Sequence, residues 1–297
     1  MTCCGILLLD KPFGLSSNAA LQRVRRVFGG AKAGHTGSLD PLATGMLPIC
    51  LGEATKIAGD LLDEAKAYEF ELQLGERRST GDREGEVVER RAVPADLTTV
   101  FADVLPRFRG PQMQVPPLYS ALKHQGEPLY RLARRGEVIE RPARPVVIES
   151  LELLSCGEST ARFAVRCSKG TYVRTLGEDL AAAIGSCGHL AALRRTAVAP
   201  FDAEAMHPLE AVQAAADPEA LLLGADAALP HLPPLTLADA DFARLQQGQR
   251  LRLPAPGAPG RVRAYDAQGR FRGVAEFLAD GVLHPRRLFN DLGPARA

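Results

Sequence analysis

"GGAKAGHTGSLDPLATGMLPICLGEATK", residues 29–56, is the stretch that decides how this chain is organised. Between Asp10 and Glu53 the one acidic residue is Asp40, whereas five lysine and arginine side chains occupy the same interval. Glycine permits positive φ and proline pushes the residue before it towards extended backbone, so the pattern predicts an irregular loop around Asp40. A carboxylate among cations favours its charged form, which is the form that a nucleophile needs.

The same loop has a simpler interpretation. In an isolated Asp-Pro pair the carboxylate more often caps neighbouring backbone N–H groups, and an isolated histidine such as His35 is more often packed or solvated. The surrounding cations, however, attract phosphates, so this neighbourhood suits chemistry on a polyanion.

Composition places the chain among ordinary globular proteins. Its 297 residues, 46% of them hydrophobic, can bury a large core and favour two domains. The N-terminal apolar run "GILLL" is interrupted by Asp10 and Lys11, so it is too short for a signal peptide or a membrane span. The six cysteines have no metal-ligand spacing. We therefore expect a cytoplasmic protein with free thiols, no metal and no membrane partner.

Charge is unevenly distributed along the chain. Residues 107–145 carry eight basic and three acidic side chains, with Tyr119 and Tyr130 among them. Mixed cations and aromatics are typical of a nucleic-acid surface, although a solvated amphipathic helix over Glu127–Arg135 is an equally good interpretation of this segment alone. The tail from residue 231 has ten arginines, no lysine and six acidic residues, which predicts a small basic domain.

Hydrophobic periodicity predicts the secondary structure. "GILLLDKP" reads as a strand, and the next segment as a helix with Ser16 or Ser17 as N-cap and Gly29 at its end. "KAYEFELQLG" alternates as a half-buried strand, and "AYDAQGRFRGVAEF" reads as a hairpin. Strands and helices alternate without a βαβ rhythm, so the fold class is α+β with a mixed sheet.

A second segment, "ARFAVRCSKGTYVR", is predicted to be a strand that places Tyr172 and Arg174 on one face. There the arginine could pair with a carboxylate while the ring stacks on a base. The alternative is a tyrosine in the core beside a surface arginine.

Several long motifs occur together and in order: "LLLDKPFGLSSN", "GHTGSLDPLATGMLPICLGEATK", "KAYEFELQLGERRSTGDREG", "VPPLYSALKHQGEPLYRLARRG", "CSKGTYVRTLGEDL" and "HLAALRRTAV". Over nearly its whole length the chain resembles the bacterial TruB-type tRNA pseudouridine synthases, which isomerise the uridine at position 55 of the tRNA T-loop. The resemblance implies a mixed, mainly antiparallel sheet with flanking helices.

The resemblance also implies the site residues. Asp40 matches the catalytic aspartate, Tyr68 the tyrosine that stacks on the target base and takes part in proton transfer, and Tyr172 and Arg174 match their partners, with the arginine paired to the aspartate. His35 matches a histidine that contacts the T-loop. The remaining implied substrate-binding residues, which line or brace the site or lie in the basic segment, are Lys11, Lys56, Asp82, Leu193, Lys123 and Arg134.

The implied organisation is a catalytic domain over residues 1–230, with an RNA-binding insertion at about 107–145, and a PUA-like RNA-binding domain over residues 231–297. The expected partner is tRNA. Since the isomerisation involves neither redox chemistry nor hydrolysis, we expect no metal and no organic cofactor. We also expect a monomer with no obligatory protein partner.

Two other classes of protein compete with this one. A non-catalytic tRNA-binding or tRNA-folding protein would have the same basic surfaces, but it would have no need for Asp40, Tyr68, Tyr172 and Arg174 together. A metabolic enzyme with a phosphate-binding loop predicts a Walker A or G-x-G-x-x-G pattern, and residues 29–56 fit neither.

Overall fold

The computed structural model describes residues 3–120, 122–137, 139–254 and 258–290. The chain packs into two compact units. The first unit comprises Met1–Leu39, Met46–Asp63 and Ala199–Ala297, and the second comprises Asp40–Gly45 and Glu64–Val198.

The regular elements alternate along the chain. The helices are α1 (Ser17–Val27), α2 (Ala58–Asp63), α3 (Leu97–Val104), α4 (Leu129–Arg134), α5 (Val173–Ala183), α6 (Leu209–Ala214) and α7 (Asp239–Gln246). The strands are β1 (Gly5–Lys11), β2 (Ala33–His35), β3 (Thr44–Leu51), β4 (Lys66–Leu74), β5 (Glu76–Arg78), β6 (Val87–Arg90), β7 (Gly110–Gln114), β8 (Lys123–His124), β9 (Glu127–Pro128), β10 (Arg144–Cys156), β11 (Thr160–Cys167), β12 (Gly188–Val198), β13 (His207–Pro208), β14 (Pro234–Thr236), β15 (Leu251–Arg252), β16 (Gly260–Tyr265), β17 (Phe271–Phe277) and β18 (Val282–Leu288). Short 3-10 helices lie at Gly52–Ile57, Leu105–Phe108, Ala203–Ala205, Pro218–Leu221 and Ala225–Ala228.

The second unit is built on a sheet in the order β12–β4–β11–β10–β7, in which each neighbouring pair is antiparallel. The predicted alternation of β4 is confirmed: Tyr68, Phe70, Leu72 and Leu74 are buried, as is Lys66 at the start of the strand. Phe70 stacks on the fully buried Phe163 of β11, with ring centroids 5.1 Å apart. Burying a side chain of this size contributes roughly 1.5–3 kcal/mol, so this face of the sheet is a major source of the unit's stability.

A glycine fixes the loop that carries Asp40 against this sheet. Thr44 and Gly45, at the start of β3, pair in parallel with Arg194 and Arg195 of β12. Gly45 has φ of +97°, and a Cβ atom added there would lie 2.2 Å from the carbonyl oxygen of Arg195. Glycine alone tolerates both the positive φ and this close approach of two backbones. The loop therefore follows β12 closely.

In the first unit, helix α1 begins where its capping residue predicts. The Ser16 hydroxyl accepts a hydrogen bond from the Ala19 N–H, and Gly29, just beyond the helix end, has φ of +62°. The helix buries its face formed by Ala20, Leu21 and Val24. The unit's sheet has the order β13–β1–β3, and β2 pairs antiparallel with β3.

The small C-terminal β-domain is confirmed as a five-stranded sheet in the order β14–β16–β17–β18–β15. The predicted hairpin is the antiparallel pair β16 and β17. Val274 and Phe289 of this region belong to the same buried core as Ile6 and Leu8 of β1. The boundary between residues 230 and 231, and the PUA-like character of the sheet, stay predictions.

The predicted continuous strand through Tyr172 and Arg174 is wrong. Strand β11 ends at Cys167, a turn follows in which Gly170 has φ of +79°, and Tyr172 is the N-cap of α5. The segment's alternation stops at the turn, so the argument that two residues of a strand share a face does not apply to Arg174. This side chain lies in the first turn of a helix instead.

Two further findings concern helices. The helix predicted over Glu127–Arg135 is shorter, because α4 spans Leu129–Arg134 and Glu127–Pro128 form strand β9. In the part of the chain that the structure describes, no helix has the length and apolar composition of a membrane span.

Candidate active site

Asp40 is held in place by the backbone on both sides of it. The Ser17 hydroxyl accepts a hydrogen bond from the N–H of Leu39 at 2.7 Å and donates one to the carbonyl of the same residue at 3.0 Å. After Asp40, its own carbonyl accepts a hydrogen bond from the Ala43 N–H at 3.0 Å. The loop is thus preorganised, and its carboxylate side chain remains 41% exposed.

The carboxylate of Asp40 contacts a buried guanidinium. Arg174 Nε lies 3.0 Å from Asp40 Oδ2, and the arginine side chain is 5% exposed. The other two nitrogens of the guanidinium donate to backbone carbonyls, Nη1 to Thr80 at 2.8 Å and Nη2 to Tyr119 at 2.7 Å. Because three separate acceptors fix the plane of the guanidinium group, the Nε of Arg174 points at Asp40 and the group has little freedom to rotate.

Asp82 braces this arginine from the other side. Its carboxylate is nearly fully buried and lies 3.8 Å from Arg174 Nη1. Asp82 Oδ1 accepts hydrogen bonds from the Thr80 hydroxyl at 2.6 Å and from the Glu84 N–H at 3.1 Å. The aspartate therefore shapes the turn whose Thr80 carbonyl binds Arg174, and it offsets part of the cost of burying the guanidinium charge.

Tyr68 supplies a neutral phenol. Burial of its side chain in β4 raises the pKa of Tyr68, while the charge of Arg195 acts in the opposite direction. The two residues are directly opposite each other on β4 and β12, and their side chains are hydrogen-bonded. A phenol with a raised pKa keeps its proton at neutral pH, so Tyr68 can donate a hydrogen bond or a proton.

Tyr172 and Leu193 complete the predicted group in the second unit. Tyr172, at the start of α5, is half-buried, and burial raises the pKa of its phenol. Leu193 of β12 is buried and lies opposite Phe70 of β4. Asp40, Tyr68, Asp82, Tyr172, Arg174 and Leu193 therefore all belong to the second unit.

The other predicted substrate-binding residues that the structure describes lie in the first unit. The Lys11 ammonium is fully buried and donates to the carbonyls of Pro12 and Leu15, at 3.0 and 2.6 Å. The Lys56 ammonium binds Glu53 at 2.7 Å and the carbonyl of Leu288 at 2.8 Å. These bonds connect parts of the unit to each other, and the substrate contacts of both lysines stay predictions.

The last three predicted substrate-binding residues are His35 and two residues of the basic insertion. His35 is half-buried on β2, opposite Ile49 of β3. The side chains of Lys123 and Arg134 lie outside the described residues. The roles assigned to these three residues stay predictions.

Two residues that the sequence argument missed contact this group. Arg195 is a fully buried arginine beside Tyr68, and Gln114 binds the backbone of Tyr172. Arg195 follows Leu193 at a spacing of two, an inward position of the strand, so strand alternation could have revealed it. Gln114 had no comparable signal, because its partner is far away in the sequence.

The arrangement can perform nucleophilic or acid–base chemistry. Asp40 presents a carboxylate that an arginine orients, and Tyr68 and Tyr172 present protonated phenols. Among the residues that the structure describes, no group of three or more His, Cys, Asp or Glu side chains could hold a metal ion.

Three protein-family models together match most of the chain. Residues 25–173 match the TruB family pseudouridylate synthase N-terminal domain. Residues 174–229 match the tRNA pseudouridylate synthase B C-terminal domain, and residues 233–289 match the pseudouridine synthase II TruB C-terminal model.

Two tRNA pseudouridine synthases B match this chain over nearly its whole length. A tRNA pseudouridine synthase B from Ectopseudomonas mendocina (strain ymp) is 52% identical over 290 residues, which is 96% of this chain and 94% of the relative. One from Burkholderia pseudomallei (strain 1106a) is 50% identical over 292 residues, 96% of both chains. Among solved structures, an H/ACA RNP bound to a substrate RNA containing 2'-deoxyuridine has a chain of the same fold, with TM-score 0.73, 21% identity, and coverage of 97% of this chain and 85% of that one.

Proposed function

The chain belongs to the TruB family of pseudouridylate synthases, and we propose that it isomerises uridine to pseudouridine at position 55 in the T-loop of tRNA. It is a pseudouridine synthase, an isomerase, and tRNA is its substrate. The position in the T-loop is the finer part of the proposal, and it rests on the sequence motifs that resemble the family.

One observation carries the proposal: the contact between Asp40 and Arg174. A half-exposed carboxylate held 3.0 Å from a buried guanidinium is available to a substrate and is oriented before the substrate arrives. A turn cap would bond chiefly to neighbouring backbone N–H groups and would need no buried arginine. The geometry therefore favours a working carboxylate.

The substrate base must first leave the stack of the T-loop. Extruding a nucleotide costs on the order of a few kcal/mol, because stacking and pairing are lost. In this proposal His35 and the basic insertion, including Lys123 and Arg134, offset that cost through contacts with the remodelled loop. Tyr68 then stacks on the extruded base.

The reaction breaks the bond from N1 of uracil to C1′ of the ribose and forms a bond from C5 to C1′. The C5 hydrogen leaves as a proton, and N1 gains one. Three alternative routes use Asp40: attack on C1′, attack on C6 of the base, or removal of a sugar proton to give a glycal. All three routes need the Asp40 carboxylate to be ionised and correctly oriented. The guanidinium of Arg174 favours the ionised form and fixes the orientation.

The remaining parts of the proposal follow from the reaction and from the site. The isomerisation is redox-neutral and adds no water, so it requires no cofactor. Asp40, Tyr68, Tyr172 and Arg174 all come from one unit of one chain, which favours a monomer that needs no protein partner. A tRNA substrate favours a cytoplasmic location.

The test is release of tritium from C5 of uridine in unmodified, labelled tRNA. Asp40→Asn keeps the shape of the side chain and removes its charge, so we expect it to abolish release while tRNA binding persists. Asp103→Asn, an exposed change in helix α3 of the same unit, is the matched control and should leave release unchanged.

The outcomes separate the proposal from its rival. Release by the wild type and by Asp103→Asn, but not by Asp40→Asn, would support the enzyme. No release by any of the three, with tRNA still bound, would refute it in favour of a non-catalytic tRNA-binding or folding protein. Mapping the modified nucleotide tests position 55 separately.

A further inference from the structure

The side chain of Gln114 binds both backbone groups of Tyr172. Gln114 lies at the end of β7 and is 7% exposed. Its Oε1 accepts a hydrogen bond from the Tyr172 N–H at 2.8 Å, and its Nε2 donates to the Tyr172 carbonyl at 3.1 Å. The planar amide thus meets one donor and one acceptor at once, which also fixes the orientation of its oxygen and nitrogen.

This contact lies where helix α5 begins. Tyr172 is the N-cap residue, its side chain makes no capping hydrogen bond, and its carbonyl also accepts the N–H of Leu176 at 3.1 Å. Arg174 follows within the first helical turn. The Gln114 amide therefore fixes the position of the backbone from which both the Tyr172 ring and the Arg174 guanidinium extend.

The chain after Gln114 reaches the same helix a second time. Five residues on, the Tyr119 carbonyl accepts the hydrogen bond from Arg174 Nη2 at 2.7 Å. The segment from Gln114 to Tyr119 thus holds the start of α5 at two points. It belongs to residues 107–145, the basic insertion of the sequence analysis.

We propose that Gln114 is a positioning residue for the isomerisation, acting through Tyr172 and Arg174. The inference rests on the proposed function, because its assay is pseudouridine formation. Leucine in place of the glutamine retains the bulk, but it leaves the Tyr172 N–H without this acceptor and removes one of the two donors to the Tyr172 carbonyl, so the start of α5 shifts. Small displacements of oriented groups slow reactions strongly, and we expect Gln114→Leu to lower the single-turnover rate roughly 10- to 100-fold.

Gln114→Glu distinguishes a positioning role of residue 114 from a general loss of stability. An ionised glutamate still accepts from the Tyr172 N–H, but it repels the Tyr172 carbonyl, so the rate at neutral pH should be low. A protonated glutamic acid has one donor and one acceptor, like the amide it replaces. Burial raises the pKa of a carboxyl at this nearly fully buried position, and the charge of Arg144, which pairs with residue 114 across β7 and β10, lowers it. With burial as the larger effect, lowering the pH from about 8 to about 5.5 should reduce the deficit relative to wild type.

Gln73→Leu is the matched control. Gln73 lies on β4, outside the basic insertion, and its amide donates to the carbonyls of Leu74 and Ser159 rather than to α5. We expect this variant to turn over like the wild type. Filter binding of tRNA and thermal unfolding are measured in parallel at each pH, and Gln114→Glu should bind tRNA like the wild type and stay folded at the assay temperature.

The measurement is C5 tritium release under single-turnover conditions for wild type, Gln114→Leu, Gln114→Glu and Gln73→Leu from about pH 5.5 to 8. A slow Gln114→Glu that recovers at low pH, with Gln73→Leu unaffected, supports the inference. Wild-type rates in both Gln114 variants, or a Gln114→Glu deficit that is the same at every pH, would overturn it alone. No release by the wild type would overturn the proposed function and the inference with it.

Discussion

Arg174→Lys retains the positive charge beside Asp40 and removes the planar fork, so it tests whether orientation or charge alone matters. In the structure the three guanidinium nitrogens of Arg174 bind the Asp40 carboxylate at 3.0 Å, the Thr80 carbonyl at 2.8 Å and the Tyr119 carbonyl at 2.7 Å. A lysine has one ammonium at the end of a flexible chain, and it cannot meet three acceptors that lie around a plane. We expect the substitution not to be conservative.

The expected magnitude follows from the hydrogen bonds. Losing one charge-assisted hydrogen bond that orients Asp40 costs about 1.5–3 kcal/mol, which corresponds to a rate decrease of roughly 10- to 150-fold. The carbonyls of Thr80 and Tyr119 also lose their donor, so a decrease in thermal stability should accompany the slower reaction.

The assay is single-turnover release of tritium from C5, with tRNA affinity measured by filter binding. Arg166→Lys is the control, since Arg166 pairs with Glu149 at 2.7 Å on the surface, where both side chains are more than two-fifths exposed. Exposed pairs contribute about 0–1 kcal/mol, so this variant should react like the wild type. If the Arg174→Lys protein is folded and turns over within about threefold of wild type, the argument that the fork orients Asp40 is refuted.

Two other predictions concern stability. Gly45→Ala should lower the free energy of unfolding by about 2–4 kcal/mol in urea titrations, because φ is positive at this residue and the added Cβ meets the Arg195 carbonyl. Gly170→Ala is the control, also at positive φ but in open space, and it should lower the free energy of unfolding by about 1 kcal/mol; equal losses in the two variants would contradict the prediction. Because burial raises the pKa of Tyr68 in the folded state, the unfolded chain loses this proton first as the pH rises above about 10, so stability should fall from that pH upward. Tyr68→Phe should reduce that fall, and an identical pH dependence in the two proteins would show that this phenol does not contribute to it.

Local patterns in the sequence predicted much of the fold. The alternation of Tyr68, Phe70, Leu72 and Leu74 corresponds to β4, and the serine before α1 is its N-cap, because periodicity and capping depend on neighbouring residues alone. The mixed sheet, the C-terminal hairpin and the loop around Asp40 were predictable for the same reason. Long motifs in a fixed order pointed to the family, which the comparisons then showed.

The same local reasoning was wrong where a short turn changed the type of element. Residues 161–174 look like one alternating run, but β11 stops at Cys167 and α5 begins at Val173. Gly170 has positive φ in the turn between them, and a glycine at this place in the sequence indicates a break in the strand. The alternation of the neighbouring residues was given more weight than this glycine.

What the sequence by itself determined is which residue types the site contains and which faces of the strands are buried. The family resemblance implied that Arg174 pairs with Asp40, and the tertiary structure decided the geometry of that pair and the contacts of Asp82 with the Thr80 turn and of Gln114 with Tyr172. Contacts such as those of Arg174 and Gln114 join segments far apart in the chain, and their geometry depends on strand order and on where each loop leaves the sheet. Periodicity has a range of a few residues, so it carries no information about which distant loops meet.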